Sequence, residues 1–249
     1  MTSGTRTLVA VATYNEIENL PRLVDEIFEY APDVRVLVID DNSPDGTGLW
    51  CDKKAAQDER VECLHRPGKL GLGTATIAGF RYAVQQEFDF VITMDADFSH
   101  HPRYLPKLRA GLQTTGAKPL DVIIGSRYVR DGGIEGWPLY RRWMSRAVNS
   151  YARLMLGLSV KDCSGAFRCY RTTVLRQLDL DQIQSRGYSY LEEILWRLAD
   201  QGAQFGETPI VFVDRQLGKT KIDWREAVAA VFVILRLGTV RCLRLITGR

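Results

Sequence analysis

The stretch FVITMDAD, from Phe90 to Asp97, runs from five apolar or neutral residues directly into two aspartates separated by one alanine. Its first part has the composition of a buried strand, so Asp95 and Asp97 come where the strand ends. Ligands of open α/β sheets bind at that carboxyl edge. Two carboxylates there favour Mg²⁺ or Mn²⁺ holding a substrate's phosphates, and the small Ala96 permits close approach. The alternative is that both aspartates only end a strand and cap the helix that follows near Pro102.

Short apolar segments recur at a steady spacing and predict five strands, at residues 8–12, 34–39, 61–64, 90–94 and 122–124. Amphipathic helices are predicted between them, one over residues 17–28 and another over 74–88. This alternation predicts a doubly wound, Rossmann-like α/β fold: a mostly parallel sheet with helices on both faces and right-handed crossovers.

Composition is that of an ordinary globular chain, with 249 residues and 45% hydrophobic content, which is enough for one sizeable core. The five cysteines are scattered without C-x-x-C pairs, which is typical of reduced thiols in the cytoplasm. The amino terminus has no apolar signal-peptide region. We therefore expect a cytoplasmic location with no signal peptide.

Polar residues also follow the first two predicted strands. Tyr14 and Glu16 come after the first, and the segment DDNSPDG, residues 40–46, comes after the second. Asp41 could accept hydrogen bonds from a nucleotide base, while Tyr14 and Glu16 could contact the ribose. The alternative is that residues 40–46 only form a turn that caps a helix.

Six segments together are more specific than any one of them. They are AVATYNE at 10–16, VIDDNSPDGT at 38–47, MDADFSH at 94–100, GSRY at 125–128, DCSGAFR at 162–168 and FVDRQLGKTK at 212–221. In this order and without a large insertion, they resemble the motifs of family 2 glycosyltransferases with the GT-A fold. More narrowly, they are similar to the dolichyl- or polyprenyl-phosphate mannose synthases.

The resemblance implies roles for particular residues. Those for the nucleotide are Ala12, Tyr14, Glu16, Ile39, Asp41, Asp95, Ala96 and Asp97. Those for the Mg²⁺ or Mn²⁺ cofactor are Asp95, Asp97 and Ser99, where Ser99 replaces a glutamine of many members and would bind the metal directly or through water. Those for phosphates are Arg127, Arg215 and Lys221, which with Asp95 and Asp97 form the implied catalytic set.

The activity implied by the resemblance is inverting transfer of mannose from GDP-mannose to a dolichyl or polyprenyl monophosphate, giving a β-linked product. A lipid phosphate is already ionised at neutral pH, so its attack needs no catalytic base. The metal would neutralise the charge that develops on the departing diphosphate.

The carboxyl end is the basic part of the chain. From Arg215 onward there are eight Lys or Arg residues against two acids, and residues 227–235 are continuously apolar. That run is far shorter than the roughly 20 residues that span a bilayer. We therefore predict a GT-A domain over residues 1–221 and an amphipathic basic helical segment over 222–249 that contacts the cytoplasmic face of an anionic membrane, with a membrane-protein partner as a further possibility. The alternative is a core or subunit-interface helix. Nucleic acid is not expected as a partner, since the segment lacks interleaved aromatic residues.

Other functions and sites remain open at this point. A UDP-sugar-dependent polyprenyl-phosphate glucosyl- or N-acetylhexosaminyltransferase would fit the same residues, because Asp41 can accept from guanine or uracil. A non-catalytic membrane adaptor that binds nucleotide sugar is an alternative from another class, although it would be expected to lack Asp95 or Asp97. His100 and His101 suggest a zinc site only weakly, since no cysteine or third histidine is near in sequence.

Overall fold

The computed structural model describes residues 5–113, 119–185, 187–215 and 224–247. The strands within this part of the chain are β1 (Thr7–Thr13), β2 (Arg35–Asp40), β3 (Val61–His65), β4 (Phe90–Asp95), β5 (Val122–Ser126), β6 (Gly133–Glu135), β7 (Arg168–Arg171), β8 (Phe205–Pro209) and β9 (Val211–Val213). The α-helices are α1 (Leu20–Tyr30), α2 (Thr47–Gln57), α3 (Leu72–Gln85), α4 (Leu105–Gln113), α5 (Leu139–Leu156), α6 (Thr172–Gln177), α7 (Tyr190–Asp200) and α8 (Trp224–Thr247).

Seven strands form one sheet in the order β3-β2-β1-β4-β7-β5-β8. Strands β1 to β4 pair in parallel with one another, and β5 pairs in parallel with β8, whereas β7 is antiparallel to both β4 and β5. The five predicted strands and the mostly parallel α/β fold are confirmed. The antiparallel β7 and the small parallel sheet of β6 and β9 had no signal in the sequence pattern, because short strands of three or four residues carry too little periodicity.

Helices cover both faces of the sheet. One core cluster packs α1 and α4 against the sheet, with Leu23, Ile27 and Leu108 fully buried. The other packs α3, α5, α7 and α8 on the opposite face, with Phe80 and Ile194 fully buried. The central strands β1, β2, β4 and β5 are buried along almost their whole length, and the loops that follow them start from this packed edge.

Helix α8 lies within the second predicted segment and packs on α5 and α7. Ile234 and Leu237 are buried in the core cluster, whereas Phe232 and Ile246 are exposed. The helix therefore contributes to the core on one side and leaves apolar residues on the other. Among the described helices, none is both long enough and apolar enough to cross a membrane.

Candidate active site

A cavity of about 250 Å³ opens at the carboxyl ends of β1, β2 and β4. Its walls come from the loops after these strands, from the start of α3 and from two later segments. The lining residues are Ala12, Thr13, Tyr14, Glu16, Asp41, Lys69, Gly71, Leu72, Ala75, Asp95, Ala96, Asp97, Gly187, Tyr188 and Arg215. Eight residues that the sequence singled out from separate segments are thus brought together here.

The loop after β4 sets the direction of Asp97. Phe98 adopts a left-handed backbone with φ of 60°, an unfavourable conformation for a large side chain. The turn allows the backbone N–H and the hydroxyl of Ser99 to donate to Asp97 Oδ1, at 3.1 and 2.6 Å. The loop therefore holds the Asp97 carboxylate through Oδ1, whereas Oδ2 makes its contact outside this loop.

The buried His100 ring accepts a hydrogen bond from the backbone of Asp95. The Asp95 backbone N–H donates to His100 Nδ1 at 3.3 Å, and the ring stacks on Phe167 with 5.1 Å between centroids. Burial lowers the pKa of His100 to about 4. His100 is consequently neutral at physiological pH and accepts a hydrogen bond through Nδ1. Its role is to fix the start of the loop that carries both aspartates.

Arg215 supplies positive charge to the same wall. Its Nη2 lies 3.2 Å from Asp97 Oδ2, and both side chains are largely shielded from solvent. This pair joins the segment that follows β9 to the loop after β4, although the two segments are far apart in sequence. An arginine fork beside two carboxylates can share its donors between a carboxylate and a phosphate.

The donors around Asp95 and Asp97 fit a hard divalent cation. Both residues offer carboxylate oxygens to the cavity, and the side chain of Asp95 is 29% exposed there. Magnesium sites commonly use one or two carboxylates and leave the other positions to phosphate and water. Ser99 does not line the cavity, but its hydroxyl donates to Asp97 and keeps its lone pairs.

The adjacent aspartates at the end of β2, Asp40 and Asp41, make different contacts. Asp40 accepts from Thr13 and Ser43 and so binds the loops together. Asp41 faces the cavity, where Arg66 Nη1 donates to its Oδ1 at 2.7 Å and the Leu70 N–H donates to Oδ2 at 3.1 Å. Burial raises the pKa of Asp41, and the charge of Arg66 opposes that rise. Each oxygen retains a lone pair that could accept from a base.

The loop after β1 is attached to the start of α2. Thr47 Oγ1 accepts from the Glu16 N–H at 3.0 Å, and Asp45 Oδ2 accepts from the Ile17 N–H at 3.1 Å. Across the cavity, Lys69 Nζ lies 4.7 Å from the centre of the Tyr14 ring. Tyr14 is thus placed by a fixed loop and contacts a cation that the motifs did not indicate.

Besides Ser99, three predicted residues lie apart from the cavity or outside the described residues. Ile39 is buried in the sheet and borders a small neighbouring void. Arg127 is buried, with Nε and Nη2 donating to the two oxygens of Asp162, each at 2.7 Å. Lys221 is outside the described residues.

The motifs missed several lining residues from two segments. Lys69, Gly71, Leu72 and Ala75 lie just before and within the first turn of α3, which follows Gly71 at φ of 97° and begins two residues before the helix predicted over residues 74–88. Their signal was the combination of a lysine with closely spaced glycines. Tyr188 comes from the loop before α7, for which the sequence carried no signal.

The two histidines after Ser99 do not converge on one point. His100 is in the core, whereas His101 Nε2 lies 3.8 Å from Glu26 on α1. Among the described residues, the one group of three potential metal ligands that includes a histidine is Asp52, Cys63 and His65, on a different part of the surface. A zinc site at His100 and His101 has no support from this arrangement.

Comparison with known proteins gives the family. A family model described as glycosyl transferase family 2 matches residues 8–179. The chain belongs to glycosyltransferase family 2. It is 43% identical over 233 residues to a protein of Micrococcus luteus named undecaprenyl-phosphate mannosyltransferase, covering 94% of each chain. It is 40% identical to a polyprenol monophosphomannose synthase of Mycolicibacterium smegmatis, covering 94% of this chain and 87% of that relative.

Solved structures of more distant proteins share the fold. A glucosyl-3-phosphoglycerate synthase from Mycobacterium tuberculosis, in complex with Mn²⁺, UDP and glucosyl-3-phosphoglycerate, superposes with a TM-score of 0.66 at 18% identity. The match covers 94% of this chain and 81% of that one. A second structure of that enzyme, with Mn²⁺, UDP and phosphoglyceric acid, gives a TM-score of 0.67 at 17% identity, covering 96% of this chain and 79% of that one. The GT-A architecture expected from the motifs is thereby confirmed.

Proposed function

We propose that this glycosyltransferase moves mannose from GDP-mannose to a dolichyl or polyprenyl monophosphate with inversion, yielding a β-linked polyprenyl phosphate mannose. The observation that carries the proposal is the juxtaposition of Arg215 with Asp97 in a cavity that also contains Asp95 and Asp41. The choice of sugar and acceptor is supported by the names of the two relatives at 40 and 43% identity.

Nucleotide binding is assigned to the wall made by β1 and β2. Asp41 would accept from the N–H donors of the guanine edge, and Arg66 and the Leu70 N–H hold its carboxylate in position to do so. Tyr14 and Glu16 line the same wall and suit the ribose. Ala12 and Ala96 supply small surfaces over which a nucleotide can pass closely.

Asp95 and Asp97 would hold Mg²⁺ or Mn²⁺, and Ser99 would assist by orienting Asp97 or by offering its own oxygen. The bound ion would neutralise the diphosphate as a Lewis acid. Arg215 would transfer part of its interaction from Asp97 to a phosphate oxygen when substrate binds. Lys221 is proposed as a second phosphate ligand. Arg127 is not assigned a direct phosphate contact, because its donors are engaged by Asp162 and Ser164.

A phosphate acceptor accounts for the absence of a dedicated base among the residues assigned here. Its oxygen is ionised at neutral pH and can attack the anomeric carbon without losing a proton to the protein. Attack from the side opposite the departing diphosphate inverts that carbon. The lipid chain would remain in the membrane, so we also propose that the protein works at the cytoplasmic membrane surface, with residues 222–249 contributing to that contact.

The deciding experiment offers GDP-mannose, UDP-glucose and UDP-N-acetylglucosamine separately to the protein with a short polyprenyl phosphate and Mg²⁺ or Mn²⁺. We expect only mannose to become lipid-soluble, and the anomeric configuration of the product to be β. An Asp97→Asn variant serves as the inactive control. Transfer from a UDP-sugar instead would replace the proposed donor, and binding without any transfer would support the adaptor alternative.

A further inference from the structure

Helix α5 has an apolar surface on the side that faces away from the core. Its buried side chains Asn149, Ala152 and Leu156 lie on one face. At 100° per residue, the opposite face carries an apolar row that follows helical spacing. This row, here termed the α5 stripe, consists of Leu139, Tyr140, Trp143, Met144 and Leu154, which are 71, 68, 70, 57 and 78% exposed.

Such a surface is unusual for a helix of a globular domain. A surface helix normally directs its apolar residues to the core and its polar residues to water. Here several large apolar residues, including a tryptophan and a tyrosine, are exposed together within two turns. Contiguous apolar surface of this kind marks a contact with a partner or a membrane.

The charge beside the α5 stripe indicates which partner fits. The helix contains four arginines and no acidic residue. Arg142, Arg146 and Arg153 follow one another along one flank of the stripe, and Arg146 and Arg153 are exposed. A second copy of the chain would bring two such arginine rows together and they would repel. An anionic lipid surface offers negative headgroups to the arginines and apolar chains to the stripe.

The stripe begins next to the candidate active site. Arg141, in the first turn of α5, lies 3.4 Å from Asp214 between Nη1 and Oδ2. The next residue, Arg215, contacts Asp97 in the cavity wall. A membrane that contacted the start of α5 would therefore lie close to the segment that borders the cavity.

We propose that the α5 stripe and its arginine row form a membrane-docking surface that binds anionic lipid, in addition to the carboxyl-terminal segment. The stripe enters the headgroup region, with Trp143 and Tyr140 at the level where such side chains are favoured. The inference of anionic lipid binding depends only on the exposed apolar residues and arginines of α5. The inference that this binding brings a lipid phosphate to the cavity rests on the proposed function.

The test uses the full chain and vesicles without polyprenyl phosphate or nucleotide sugar. Co-sedimentation is measured with phosphatidylcholine vesicles and with vesicles that also contain phosphatidylglycerol, at low and high salt. We expect binding to the anionic vesicles that weakens with salt. Trp143→Glu should reduce the partition coefficient at least about tenfold, since a large apolar side chain leaves the membrane. Leu49→Glu is the matched control, because Leu49 on α2 is also 70% exposed, and it should bind like the wild type.

A second variant isolates the charge. Replacing Arg146 and Arg153 by glutamine should remove most of the preference for anionic over neutral vesicles, while far-ultraviolet circular dichroism stays unchanged. Equal binding of wild type and Trp143→Glu to anionic vesicles would overturn the proposal. So would a wild-type dimer in sedimentation velocity that Trp143→Glu dissociates, since a second copy would then cover the stripe.

The result is separable from the test of the proposed function. Vesicle binding is measured without any substrate, so a failure of mannose transfer would leave the docking surface in place. Conversely, Trp143→Glu should keep the wild-type rate on a short water-soluble acceptor and lose rate only on long polyprenyl phosphate in vesicles. If the wild type transfers mannose and Trp143→Glu binds vesicles as well as the wild type does, the docking surface would be wrong while the proposed function would stand.

Discussion

Two groups of charged residues differ in what compensates their charge. The first, the open group, consists of Asp95, Asp97 and Arg215. These residues face a cavity, where a ligand can take over part of their interactions. The second, the closed group, consists of Arg127 and Asp162, which are buried and joined by two side-chain hydrogen bonds and one from the Arg127 backbone N–H. Similar residue types thus line a cavity in one region and hold the fold together in the other.

The closed group extends to two more residues. Arg168 is fully buried and donates to the backbone oxygens of Cys163 and Leu191. Glu192 is also buried, and its Oε2 has no hydrogen-bond partner in the structure. Burial raises the pKa of Glu192 to about 7. The next residue, Glu193, behaves in the opposite way: burial alone would raise its pKa, but hydrogen bonds from Ser185 and Arg197 lower it.

The largest expected effect concerns the open group. Asp97→Asn should reduce mannose transfer by about 10²–10³-fold, the size associated with losing one preorganised electrostatic group. The fold should remain intact, because Asn can still accept from Ser99. Steady-state kinetics and thermal unfolding check both statements, and exposed Asp25→Asn is the control. Full activity of the wild type in excess EDTA would contradict a metal at this position.

A substitution in the closed group should lower the free energy of unfolding instead of acting directly on the rate of transfer. Asp162→Asn leaves the Arg127 guanidinium buried without its ionic partner, which should cost about 3–5 kcal/mol in the free energy of unfolding. Denaturant unfolding measures this cost. Wild-type stability combined with strongly reduced transfer would show that Arg127 and Asp162 belong to the open group.

Glu192 provides a pH-dependent test of the same distinction. Its folded pKa of about 7 is above the ordinary value of 4.5, so the folded state holds the proton more tightly and loses stability as pH rises from about 4.5 through 7. Glu192→Gln removes this loss and should be more stable than wild type at pH 8 by up to about 3 kcal/mol. Near pH 4.5 the two should be alike. The same difference in unfolding free energy at both pH values would show that the pKa of Glu192 is not raised in the folded protein.

The smallest effect is expected for Arg215→Lys. The charge is kept but the planar fork is lost, so transfer should fall roughly ten- to hundredfold, as for a charge-assisted hydrogen bond worth about 1.5–3 kcal/mol. Unfolding free energy should change little, since the pair with Asp97 is partly open to the cavity. Arg109→Lys, in the exposed pair with Asp33, is the matched control. An unchanged rate would make Arg215 a purely structural partner of Asp97.

The sequence by itself determined five of the described strands and the position of the polar residues at the ends of three of them. Periodicity and the short motifs at residues 10–16, 38–47 and 94–100 sufficed, because a parallel strand brings its following loop to a common edge. Asp41, Asp95 and Asp97 could therefore be grouped from the sequence alone. The helix predicted over residues 74–88 is present as α3, although it begins two residues earlier, at Leu72.

Only the tertiary structure decided which charges face the cavity and which neutralise each other. Arg127 and Arg215 are both arginines within family motifs, yet one meets Asp162 in the interior and the other meets Asp97 at the cavity. The exposure of the α5 stripe could likewise not be predicted, because apolar residues at helical spacing give the same sequence pattern whether they face a core or solvent. Burial and the choice of ionic partner depend on contacts between distant segments, and neither composition nor local spacing encodes those contacts.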